Sequence, residues 1–115
     1  MNELSVSTIN LEKGEVFSLI VGYPKTRLMS LTVPDVGYIM CGILNPRMLD
    51  KMHPERKIIA AQFTGICKID DLLTAKALEV TREAARLGIL PGMTGRDILN
   101  IMLAIKKERE EAAKA

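Results

Sequence analysis

The sequence predicts an α+β domain: an antiparallel meander of four to five strands with two to three helices packed on one face. Strand patterns crowd the first half of the chain and helical patterns the second, which is the order of an antiparallel sheet with segregated helices. Short turn signals separate the strand patterns, Glu12-Lys13-Gly14, Pro24-Lys25-Thr26 and Pro34-Asp35-Val36-Gly37, so neighbouring strands should pair directly. Residues 36–44 are nearly free of polar side chains, as in an interior strand covered on both faces.

Residues 5–11 alternate Val6, Thr8 and Asn10 against Ser7, Ile9 and Leu11, the pattern of a half-exposed edge strand. Residues 15–23 carry Val16, Phe17, Leu19, Ile20 and Val21, apolar on both faces, and predict a strand covered on each side before Pro24 stops it. Residues 28–33 return with Met29, Leu31 and Val33 on one face and Ser30 and Thr32 on the other. In residues 36–44, Gly37 and Gly42 weaken a strand and so mark a tight turn and a point where backbone or ligand comes close.

Asn45-Pro46 predicts a short helix, Asn as cap and Pro in the first turn, with Met48, Leu49 and Met52 as its buried stripe and Pro54 as its end. Residues 57–64 predict a fifth strand, interrupted at Gly65 and continued by Ile66-Cys67-Lys68-Ile69. Asp70 should cap a helix over residues 71–87 striped by Leu73, Ala77, Val80, Ala84 and Leu87, with Gly88 as its left-handed cap and Ile89 as the hydrophobic contact. A last helix should start at Thr94-Gly95-Arg96-Asp97 and bury Ile98, Ile101, Met102 and Ile105. The organisation is then one domain over residues 1–105 and a charged, solvated helical extension over 106–115.

Composition narrows the function classes. Sixteen basic and 14 acidic residues are interspersed along the chain for a net charge of +2, which leaves no electrostatic footprint for nucleic acid. No stretch approaches the roughly 18 apolar residues of a membrane span, and the start lacks a basic, then apolar, leader; the expectation is a cytoplasmic protein with no membrane partner. Two cysteines 26 apart then read as reduced thiols. Aromatic residues make up 3% and methionines number seven, so the core is aliphatic and a soft contact surface is available for a homo-oligomer.

Three stretches, Pro24-Lys25-Thr26, Gly37-Tyr38-Ile39-Met40-Cys41-Gly42 and Gly92-Met93-Thr94-Gly95-Arg96-Asp97, stand in the same order as in one known family, with Thr64-Gly65-Ile66 and Ile69-Asp70-Asp71-Leu72-Leu73 between them. Together they resemble the YunC-like family, a small bacterial and archaeal domain of unknown function. The resemblance spans about residues 11–102, leaves out Cys67 and the charged tail, and implies a compact α+β domain. It brings no reaction, cofactor or catalytic residue.

Cys41 is the first chemical candidate. As the catalytic thiol of a small enzyme it needs a cation to lower its pKa, with Lys25, Arg27 or Arg96 available, and Tyr38 as a hydrogen-bond donor. As a core thiol it needs nothing, and it shares a strand face with Ile39 and Ile43. His53 precedes a proline in a polar connection and lacks an orienting partner, and Cys41, His53, Cys67 and Asp70 or Asp71 match no zinc spacing, so neither a Cys-His couple nor a metal is expected.

Gly92 to Asp97 is the second candidate. Its glycines let amides converge, the helix start adds N–H groups and Arg96 adds a cationic fork, a set suited to a small anionic molecule. The same residues also make an ordinary capped helix start. A pocket of Lys25, Tyr38, Gly42, Gly95 and Arg96 beside Cys41 requires that the turns of the meander lie next to the last helix. No cofactor motif accompanies it, since no Gly-Lys-Ser/Thr follows a strand.

Overall fold

A computed structural model describes residues 3–114. Six strands form one mixed sheet in the order of the chain: β1 (Leu4–Leu11), β2 (Gly14–Tyr23), β3 (Thr26–Val33), β4 (Gly37–Met40), β5 (Ile59–Gln62) and β6 (Glu79–Val80). Four α-helices accompany it: α1 (Pro46–Met52), α2 (Asp71–Thr74), α3 (Arg82–Arg86) and α4 (Gly95–Lys114). The α+β class and the four-strand meander are as predicted. β5, however, joins β4 in parallel, because α1 and the 3-10 turn Pro54–Arg56 carry the chain back across the sheet.

One face of the sheet is the core face. Val16, Leu31, Ile39, Ala61 and Phe63 are wholly buried there, against Ile98, Leu99 and Met102 of α4 and Leu72 of α2. Alternate burial along β3 and the 3.6-residue stripe of α4 generate this layer from the sequence pattern. α1 does not share that side. It lies over the back of β5 and β6, where Gln62 Nε2 donates to the Gly42 and Leu44 carbonyls and Arg47 pairs with Glu79. That placement seals Ala60 and leaves Met48 and Met52 exposed where they were expected to be buried.

The helix expected over residues 71–87 is three elements, α2, β6 and α3. Thr81 is the reason. Its buried hydroxyl donates to Ile58 O, accepts from Ala60 N–H and also accepts from Ala84 N–H as the cap of α3, bonds that a mid-helix threonine could not make. Leu73, Ala77 and Ala84 are buried all the same, on α2, the connection to β6 and α3 rather than on one stripe. Gly88, at φ +93°, ends α3, and Ile89 is buried behind it, as the sequence indicated. Asp70 does not cap α2; Asp71 instead accepts from the N–H groups of Cys67 and Lys68, and residues 66–69 form no strand.

Candidate functional site

The residues singled out for a ligand pocket do not converge. Cys41 ends the β4 side of the sheet opposite Met29, whose carbonyl accepts from the Cys41 N–H. The residue is 7% exposed, and its thiol accepts from Met29 N–H at 3.4 Å and points at the Arg27 carbonyl at 3.7 Å, as a core cysteine does. Tyr38, three residues earlier, points to the opposite face of the sheet, beside Arg56 and Lys57, and partial burial raises its phenol pKa. Lys25 is in the β2–β3 turn, with φ +61° at the third position of a Pro-led turn.

Arg96 is anchored elsewhere. Its guanidinium donates to Glu12 at 3.0 Å, and Asn100 donates to the same carboxylate at 2.9 Å, fastening α4 to the β1–β2 turn. The Asn100 hydrogen bond first, and then the Arg96 charge, hold the Glu12 carboxyl below its usual range. This junction stands beyond one end of β3, and Cys41 lies toward the other.

Three amides at the start of α4 are already bonded within the chain. Gly95 N–H donates to Ala75 O, Asp97 N–H to Thr94 Oγ1 and Ile98 N–H to Thr94 O. Gly95 serves packing, since a Cβ there would strike the Leu72 carbonyl. Gly42 is exposed, a Cβ there would meet nothing closer than the Phe63 carbonyl at 3.9 Å, and its own carbonyl is held by Gln62.

Two features were not read from the sequence. An open cleft of about 440 Å³ at the β2–β3 turn brings Tyr23, Lys25 and Arg27 to the exposed Cys67, but Arg27 is engaged by Glu3 at 2.6 Å. The larger feature is the back of the sheet. β1 Leu4 and Val6 stand opposite β2 Val21 and Leu19, and Val21 stands opposite Leu28 of β3, all on the face away from α4. Leu4 is 75% exposed, Val6 69% and Phe17 44%. β2 is therefore covered on one face only, where the sequence suggested both. Its signal was present in β1, whose two faces each carry branched apolar residues, Val6 on one and Ile9 on the other.

Among the described residues no cluster of His, Cys, Asp or Glu is arranged to hold a metal ion, both cysteines are free, and no helix is long and apolar enough to cross a membrane.

Residues 40–102 match the model of a domain of unknown function, DUF1805. The chain is also 38% identical over 100 residues to the uncharacterized protein YunC of Bacillus subtilis (strain 168), an overlap of 87% of this chain and 98% of that one. The chain belongs to the YunC-like family. The fold is also similar to a solved structure: the crystal structure of a protein of unknown function from Thermoplasma acidophilum superposes with a TM-score of 0.77 at 26% identity, over 88% of this chain and 94% of that chain. The Gly37–Gly42 string that carries the YunC-like resemblance is thereby placed, as β4 and the turn leaving it, at the centre of the sheet. Gly37 serves close packing there, since a Cβ at that position would strike the Ile59 carbonyl.

Proposed function

We propose that this YunC-like domain is a non-enzymatic, self-associating protein, with a second copy of the chain meeting the β1–β2 side of the sheet, where one face is uncovered. The observation that carries this reading is the row Leu4, Val6, Leu19, Val21 and Leu28, apolar side chains that adjoin one another across three strands on the face opposite the core. Apolar patches of this continuity on a small domain mark interaction surfaces.

On β1 and β2 this face carries one charge, Glu15 opposite Asn10 near the β1–β2 turn, away from the Leu4 and Val6 end, so the apolar row itself brings no like charges together. A small-anion site has no part in this reading, because the amides and the guanidinium that would form it are engaged by Ala75, Thr94 and Glu12. Nor does a thiol enzyme, since Cys41 is sealed between two backbone groups.

Light scattering on the intact chain and on Leu19→Lys tests the proposal. The intact chain should scatter as a dimer at micromolar concentration and the variant as a monomer with an unchanged fold. Equal masses for the two would remove the back face from any association.

A further inference from the structure

We infer that β1 is the strand by which two copies join, running antiparallel to its counterpart so that the two six-stranded sheets become one. This rests on the self-association reading and adds the geometry of the contact.

The hydrogen-bond phase of β1 is the first ground. Gly22 N–H donates to Glu3 O at 2.7 Å, and the two-residue turn closes on the Leu11–Gly14 pair, so the odd-numbered residues of β1 bond to β2. Leu4, Val6, Thr8 and Asn10 then turn their N–H and C=O groups outward, where among the described residues no strand meets them. An open row of this kind is a template for another strand.

Edge chemistry is the second ground. The eight residues of β1 include no charge, no proline and no glycine, which are the usual devices that blunt an edge. The opposite edge is protected. β6 is two residues long, and its Glu79 is tied to Arg47 of α1. At the two ends of β1 the carboxylates of Glu3 and Glu12 are already engaged, by Arg27 and by Arg96 with Asn100, so they bring no unmatched charge to a two-fold axis.

Self-complementarity is the third. Antiparallel pairing through the outward groups sets even-numbered residues opposite even-numbered residues, and directly opposed residues point to the same face. Leu4, Val6 and Thr8 of one copy therefore adjoin the same residues of the other on the back face, and the apolar row continues unbroken across the join. α4 of both copies stays on the core side.

Amide hydrogen exchange on the intact chain reads this out directly. At high concentration the Val6 and Thr8 amides should exchange as slowly as those of Ser7 and Ile9, and on dilution they alone should speed up, by at least about tenfold. Thr8→Pro is the matching variant. It deletes an outward N–H, leaves every bond to β2 in place, and should convert the dimer to a monomer with the same circular dichroism. If light scattering finds a dimer whose Val6 and Thr8 amides exchange fast at every concentration, strand pairing is overturned and self-association stands. If only monomer is found, self-association itself falls. A Thr8→Pro chain that still dimerises like the parent also overturns the strand contact. Should that variant fail to fold, the exchange pattern of the parent chain decides.

Discussion

Val6 and Leu19 stand opposite each other across β1 and β2, two branched apolar side chains on the face of the sheet away from α4. Beneath the same two strands, Ile9 and Val16 form an opposed pair turned into the core. A hairpin with aliphatic pairs on both faces satisfies one of them within the chain and leaves the other to a partner.

Leu19→Lys should therefore separate folding from association. A partly exposed position tolerates the long aliphatic stem of lysine, so thermal stability of the dilute chain should move by no more than about 0.5 kcal/mol. Dimer dissociation should rise by at least about tenfold, because like charges would then flank the join on the same face and interrupt the apolar row on both sides of it. Concentration-dependent light scattering beside a melting curve measures both.

Thr81→Val should destabilise the fold by about 2–4 kcal/mol, since it leaves Ala60 N–H and Ile58 O buried without their partner and removes the cap of α3. Thr81→Ser keeps the hydroxyl and should recover more than half of that loss. Urea unfolding of the two variants gives the comparison.

Gly95→Ala and Gly42→Ala should differ sharply. A Cβ at residue 95 meets backbone oxygen of Leu72, which cannot swing aside as a side chain would, and the expected cost is about 3 kcal/mol or more. At residue 42 the nearest atoms are 3.9 Å away, so alanine there should change stability by less than about 1 kcal/mol. Thermal denaturation of both variants checks whether the glycine at the start of α4 serves packing.

Acid should weaken the fold through identifiable carboxylates. Asp71 is held below its usual range by the N–H groups of Cys67 and then Lys68, Glu12 by Asn100 and Arg96, and Glu83 by Arg86. A carboxyl depressed in the folded state stabilises it above the unfolded pKa of about 4, and that stability is lost as pH falls through the folded value. Melting temperature should thus hold from neutrality to about pH 5 and fall below about pH 4. Asp71→Asn should melt lower at neutrality and show a shallower acid limb.

The parts of the fold that were legible in the sequence are those governed by local rules. Turn residues and period-two alternation defined β1 to β4, Asn45 caps α1 by accepting from Met48 N–H, and Thr94 caps α4 by accepting from Asp97 N–H. What was not legible depended on long-range competition. The Leu73 to Leu87 stripe has helical spacing, but Thr81 gains more by bonding across to residues 58 and 60 than by staying in a helix. The candidate pocket failed to assemble for a similar reason: Arg96 finds Glu12, 84 residues away in the chain, and no local signal specifies that pair. Exposure of the back face was hidden because an apolar residue in a strand looks the same whether its own helix or another molecule covers it.

Sedimentation velocity over a range of micromolar concentrations tests the self-association of this YunC-like domain most directly. The account predicts a boundary that moves, with rising concentration, from the 12.7 kDa chain to a species of twice that mass. A single boundary at the mass of one chain across the whole range would contradict it.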